Sequence, residues 1–590
     1  MQTLSAALLV SVLLLAGLVG NVSPAGRPAD DADRRDMAAP QSFDVLIRGG
    51  EVVDGTGAPR YSADVGITDD RIAAIGDLAG ATATEVIDGT GMLVTPGFFD
   101  LGMGANLVEA ALITNENMLQ MGVTSGLIAW EAGAVDKVQE RQDLERAGLA
   151  INVMTFFPVI SAWQQVGVAD SGPTEPQLEQ MKALARKSFE DGAFGIGAAI
   201  EYCPLCHSDT RTIVELAKVG REYNVYYASH IRNEANGVVN ATTELIAISE
   251  QSGIPGHVGH MKVAGAPNCG LAKTTTGLVE DALARGLDVS ASQYPYTAGQ
   301  TTDIGYLIPD WAEQGTEVDI QLRLRDPATR PQVIAGVEER IAEVTGTADR
   351  IEFRPHGTTL QEEADLRHVS PGEAVVQIRE NEVTRLTIIH FGCDEDLITI
   401  LQKPWVSIQS DMGAWIPAHD ATVFHPRGYG TFPRVLGAYG RDQQLFPFEE
   451  AVRKMTGQPA YRTGIAFDRD DPRGLLQVGW AADVVVLDPA KVIDKATYDD
   501  PGAFSEGIEA VLVNGVVMKR DGELVPLHER VLATPGRYLV HTKDMPSGPQ
   551  PGYDFRAQVA GQDHADAPGL LLPALTALVV LAALAVRQRR

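Results

Sequence analysis

Between about residue 93 and residue 411 short apolar runs alternate with longer amphipathic stretches, the order expected of parallel strands joined by crossover helices. Strand candidates fall at 93–102, 122–131, 150–158, 194–200, 225–230, 255–260, 287–294, 386–390 and 405–411. That is one more than a (β/α)8 barrel can use, so one candidate is miscalled or belongs to an insertion, and the long interval 297–385 is the expected insertion. Loops of that length at a barrel mouth act as lids or substrate walls. One helix can be placed closely. Thr174 can cap it, Gln177 three residues on completes a capping box, and Leu178, Met181, Leu184 and Ala185 form the buried stripe.

The pattern changes on both sides of this region. Phe43 to Arg48 and Glu51 to Asp54, separated by Gly49-Gly50, read as a hairpin, and short strands continue to about Val94. Ala482 to Leu487 and Val511 to Val517 repeat the same pattern near the other end. The expected fold is therefore α/β: a TIM-type barrel over 93–470 and a small β-sandwich domain built from 42–92 and 471–540.

Both termini carry apolar runs. Leu4 to Gly20, followed by small residues, reads as a secretory signal over 1–22, with a Pro- and Asp-rich linker at 23–41. After a second linker, 541–567, the uncharged run Gly569 to Val586 reaches the roughly 18–20 residues that a bilayer span needs. Arg587, Arg589 and Arg590 close it, and the positive-inside rule makes 587–590 a cytoplasmic tail. The expectation is a transmembrane helix at 568–586 and an exported, membrane-anchored protein whose catalytic domain lies outside the cytoplasm.

Charge narrows the partners. With 78 acidic against 48 basic residues and a net charge of −30, the chain lacks the clustered cations that phosphate backbones require, which argues against nucleic acid. Four cysteines are too few for a disulfide scaffold. Cys203 and Cys206 stand as C-P-L-C, but no second CxxC completes a zinc site, and a local disulfide is the expected state.

The candidate chemistry lies at strand ends. Glu131, His230, His260, His390 and Asp411 each close a strand candidate, and a barrel gathers the carboxyl ends of its strands at one mouth. Zinc accepts imidazole and carboxylate, and a catalytic zinc keeps a position open for water. Glu131, His230 and His260 supply that donor set, and Asp411 could carry the proton from water to a leaving nitrogen. A single histidine at a strand end is more often structural; four such residues on successive strand ends are harder to dismiss. His257, three residues before His260, is expected to be structural.

At these residues the chain resembles the amidohydrolase superfamily and, within it, the N-acyl-D-amino-acid deacylases, or D-aminoacylases. The resemblance runs from about Phe43 to Leu539. It is carried by Val94-Thr95-Pro96-Gly97-Phe98, Gly122-Val123-Thr124, Tyr294 to Ala298, His425-Pro426-Arg427 with Gly430 to Leu436, Met455-Thr456-Gly457 and Ala481 to Val486. It implies zinc-dependent hydrolysis of the amide of an N-acyl-D-amino acid, a small-molecule substrate, to a carboxylate and a D-amino acid. It further implies His230 and His260 as metal ligands, with Glu131 where the family usually has cysteine. Asp411 matches the acid/base, and Lys262, Tyr294 and Arg427 fall where the family holds the substrate carboxylate.

Two departures qualify this. The family's HxH pair after the PGF turn, part of a second and weaker metal site, is replaced by Gly102 and Gly104. A Gly-His segment after the third strand is also absent, where Phe157-Pro158-Val159-Ile160-Ser161 stands. A single-metal hydrolase is the leading expectation; a degenerate binding protein, or a hydrolase of a cyclic or lipidated amide, remain open alternatives.

Overall fold

Eight parallel strands form the barrel: β1 (Phe98–Met103), β2 (Val123–Ile128), β3 (Asn152–Thr155), β4 (Gly195–Ala199), β5 (Tyr226–His230), β6 (Gly256–Val258), β7 (Val289–Gln293) and β8 (Val406–Ile408). The structure is a computed structural model that describes residues 41–103, 114–128, 132–354, 357–382, 384–413 and 425–548. Successive strands pair in parallel, and the step from β3 to β4 is made by Phe157–Pro158, which continues β3 beyond Phe156. β8 lies against β1 and closes the ring. Every residue of β1, β2, β4, β5 and β7 is buried, as expected of strands covered by side chains within and helices outside.

The helix between β3 and β4 shows how the sequence encodes its own ends. Thr174 accepts from Gln177 N while the Gln177 side chain accepts from Thr174 N at 3.0 Å, a reciprocal cap on Glu175–Glu190. Leu178, Met181 and Ala185 are buried at helical spacing and Leu184 packs at their edge, so one stripe joins the helix to the barrel core.

Two strand candidates change place. The run 93–102 breaks at Gly97: Leu93–Pro96 joins the sheet outside the barrel, and Phe98–Met103 is β1. A Cβ at Gly97 would run into Thr124, so only glycine permits this close crossing. The run 386–390 belongs to the insertion, where Thr384–Ile389 pairs antiparallel with Gly299–Asp303 and Ile351–Phe353. The insertion has its own apolar core, with Ile304, Leu324, Val337 and Leu360, and the disulfide Cys269–Cys393 ties its far end to the barrel. The second disulfide is Cys203–Cys206.

Both ends of the chain meet in one nine-stranded sheet. Leu93–Pro96 lies at its centre, with Val94 opposite Val52 of Ser42–Val52 on one side and Val486 of Val484–Leu487 on the other. Strand alternation divides that last strand between two cores. Val484 and Val486 face Val45 and Ile47 inside the small domain, whereas Val485 and Leu487 face Phe98 and Met118 of the barrel. Asp483 locks the junction: it accepts from Arg473 Nη1 (2.5 Å), Asn152 Nδ2 (3.0 Å) and Asn514 N (2.8 Å). Beyond residue 540 the chain still packs on the barrel, with His541 N bonded to Gly192 O and Met545 buried.

The expected membrane anchor is corrected here. Among the described residues no helix is long and apolar enough to cross a membrane. The transmembrane helix, the membrane as a partner and the exported, anchored localisation are accordingly withdrawn. The runs that prompted them, 1–22 and 568–586, lie outside the described residues.

Candidate metal centre and substrate cavity

His230 is the last residue of β5, and His260 stands two residues past β6. Their rings meet at 78° with centroids 4.4 Å apart. Glu234, four residues past His230 in the loop after β5, completes the group: ligand atoms of His230, Glu234 and His260 lie within 4.8 Å of one another, all three buried. His260 Nδ1 is 3.1 Å from Glu234 Oε1, and His230 Nε2 is 3.5 Å from Glu234 Oε2. Burial pushes the Glu234 carboxyl up, but His230, Lys262 and His260 outweigh it and hold the group well below the usual carboxylate range. Two imidazoles and a carboxylate in this arrangement are a fitting donor set for zinc. Glu131, the expected third ligand, lies outside the described residues.

A second acid backs the first histidine. Glu201 Oε2 is 2.6 Å from His230 Nε2, and its other oxygen faces Arg340 at 3.5 Å. Lys262 Nζ donates to Glu234 Oε1 (2.5 Å) and lies 2.6 Å from His260 Nδ1, so an ammonium already sits among the same acceptors.

Asp411 follows β8 by three residues and takes a left-handed backbone, φ 55°; His260 does so as well, φ 34°. Non-glycine residues adopt this conformation uncommonly, and at the barrel mouth both such residues carry chemistry. Asp411 Oδ2 pairs with Arg427 Nη1 at 2.6 Å, and the Arg427 guanidinium lies 4.7 Å from the Tyr294 ring centroid. Burial pushes the Tyr294 phenol well above its ordinary pKa, so it stays a hydrogen-bond donor. The same residues line a cavity of about 50 Å³ together with Tyr202, Gln300, Tyr306 and Phe391, part of its wall supplied by the insertion. His230, Glu234, Lys262, Tyr294, Asp411 and Arg427 thus surround one space.

The structure also explains the HPR and GTFPRVL runs. His425 Nε2 bonds Ala298 O (2.9 Å) while its Nδ1 accepts from Arg427 N (3.1 Å), which fixes the start of helix Arg427–Arg434. Arg434 at its end reaches Pro295 O (3.0 Å) and Asp494 (2.9 Å). These motifs hold the loop after β7 and the helix carrying Arg427 in register. His257 lies between Ser290 Oγ and Ser292 Oγ, both 2.8 Å away, and His390 stands in the insertion 3.5 Å from Glu352. Neither belongs to the His230 cluster.

Comparison with known proteins now decides the family. The chain is 32% identical over 531 residues to the D-aminoacylase of Alcaligenes xylosoxydans xylosoxydans, spanning 84% of this chain and 98% of that protein. This chain belongs to the D-aminoacylase family. The amidohydrolase family model matches residues 238–518, the stretch that holds His260, Tyr294, Asp411 and Arg427. A solved D-aminoacylase, whose binuclear centre shows one-metal activation and second-metal attenuation, superposes with a TM-score of 0.70 at 30% identity, covering 84% of this chain and all of its own. The N-acyl-D-glutamate deacylase of Bordetella bronchiseptica, solved with zinc and a phosphonate mimic of the tetrahedral intermediate, gives 0.69 at 29% identity over 85% and 100%. As a D-aminoacylase relative the chain is a hydrolase acting on carbon–nitrogen bonds.

Against that family, Glu201 and Glu234 are the site residues that sequence reasoning missed. Glu234 lies in Ile231-Arg232-Asn233-Glu234, in the loop between the end of β5 and the helix that begins at Val238, so its position in a loop at the barrel mouth was the available signal. Glu201 carries no such signal, because it reaches His230 only through the pairing of β4 with β5.

Proposed function

We propose that this chain hydrolyses the amide of N-acyl-D-amino acids with a single zinc ion. Hydrolysis of N-acyl-D-amino acids is the activity of the family; the single ion is the finer reading. The observation that carries it is the convergence of His230, His260 and Glu234 beside the Asp411–Arg427 pair. The ion would be held by His230 and His260, with Glu131 as the third ligand that the resemblance implies and Glu234 as the carboxylate at its side. When bound, zinc supplies Lewis acidity, polarising the amide carbonyl and making water a nucleophile near neutral pH.

The remaining chemistry belongs to the side chains. The substrate carboxylate is received by Arg427, Lys262 and the Tyr294 hydroxyl, the two cations each packed against the Tyr294 ring. Asp411 takes a proton from the attacking water and returns it to the nitrogen as the C–N bond breaks, leaving a carboxylate and a free amine. Docking the carboxylate on Arg427 relieves that guanidinium of its 2.6 Å contact with Asp411 and frees the acid/base for its work. Side chain and acyl group then face Tyr202, Tyr306 and Phe391.

The test is amine release from paired N-acetyl-D- and N-acetyl-L-amino acids, with and without zinc. Zinc-dependent turnover in the D series alone is expected. Absence of turnover by folded, zinc-loaded protein across the panel overturns the reading in favour of a binding protein or another amide.

A further inference from the structure

Two observations meet at Gly102. A Cβ built there would fall into the Gln409 carboxamide, 2.6 Å from Cδ and closer still to Nε2. The Gln409 side chain, 1% exposed, is held from its other end, where Oε1 accepts from the Ser292 hydroxyl and from His260 N at 3.3 Å. Ser292 is in turn engaged with His257, so the carboxamide cannot turn without breaking a chain of bonds that ends at a proposed zinc ligand. Its Nε2 is left directed at Gly102 and finds no acceptor among the described residues. A buried donor without an acceptor is costly to maintain.

We propose that Gln409 occupies the room of the missing side chain at position 102 and thereby limits the centre to one metal ion. This deepens the one-zinc reading above and rests on it. A histidine at position 102 and glutamine at position 409 exclude each other by volume, so Gly102 and Gln409 are one change. The carboxamide N–H stands where a side chain at position 102 would begin, and its Oε1 steadies the backbone of His260. Gln409 is therefore a positioning residue, acting through His260 and through the space it denies.

Zinc uptake by equilibrium dialysis with metal analysis, together with thermal unfolding, tests this on the full chain. Wild type is expected to take up a single tight equivalent. Gly102→His with Gly104→His should melt at a lower temperature and gain no zinc, whereas adding Gln409→Gly should restore the melting temperature and raise uptake to two. A second tight equivalent in wild type, or in the two-histidine variant with Gln409 in place, overturns the proposal. If the histidine variants do not fold, Gly102→Ala decides. It should lower the melting temperature with Gln409 present and not in a Gln409→Ala background, and equal losses in both overturn the idea. Metal counts and melting curves need no substrate, so a failure of hydrolysis would sink the functional reading without deciding this one.

Discussion

Asp411 is held at the barrel mouth in a left-handed conformation and gripped by Arg427. Replacing it with asparagine keeps the shape and removes the base. Asp411→Asn is expected to lower kcat/KM by roughly 10²–10⁴-fold with zinc content unchanged; zinc loss would show that the residue holds metal instead. The carboxylates divide differently. Glu131→Gln and Glu234→Gln should each weaken zinc binding by about 10–100-fold in a chelator competition, and a variant with wild-type affinity removes that residue from the centre. Asp100 makes a prediction about pH. Burial lifts its carboxyl to about 6, against the Ser410 hydroxyl and the backbone N–H groups of Gly102 and Ser410. A pKa raised in the fold means that the native state keeps a proton the unfolded chain gives up. The contribution is fully present below the ordinary value of 3.8 and is lost as pH rises through about 6. Asp100→Asn should flatten that part of the Tm-against-pH profile; an unchanged slope between pH 4 and 6 would place the titration elsewhere.

At the level of elements, the insertion 299–389 gives the cavity Gln300, Tyr306 and Ile389 yet belongs to no barrel position. The Cys269–Cys393 bridge, joining residues 124 apart, closes the chain around it. By loop-closure entropy such a bridge is worth about 5 kcal/mol. Cys269→Ser with Cys393→Ser should therefore lower the melting temperature and raise KM more than it lowers kcat, because a cavity wall loosens while the His230 cluster stays. Equal melting curves would mean that the insertion's own core suffices. The capped helix Glu175–Glu190 is a milder case, since Thr174→Ala removes one reciprocal cap and should cost about 1 kcal/mol in chemical denaturation.

For the whole molecule, the junction between barrel and small β domain runs through Asp483. Its partner Arg473 is fully buried, and Asn152 and Asn514 come from the two bodies it joins. Removing Asp483 leaves the buried Arg473 with Asp471 as its remaining acid and takes the acceptor from Asn152 and Asn514 N, so Asp483→Ala should cost about 3 kcal/mol and unfold both bodies together. Two separate melting transitions would show instead that the bodies are independent. The division of Val484 to Leu487 between two cores argues for a single transition, since neither core is complete without that strand.

Much of this was written in the chain locally. Periodicity and caps placed the barrel strands and the Thr174 helix, because a strand buried on both faces and a capped amphipathic helix have signatures a few residues long. His230, His260 and Asp411 were visible for the same reason, as chemistry at strand ends. What the sequence could not assign were contacts made through closure of the ring. Glu201 meets His230 across neighbouring strands, Gln409 fills the space above Gly102 only because β8 lies on β1, and the candidate at 386–390 resembles a barrel strand until its antiparallel partners appear. Local pattern determines which residues form an element and which face they present. The identity of the neighbour is decided by long-range packing, because alternation and burial are the same whichever strand stands alongside.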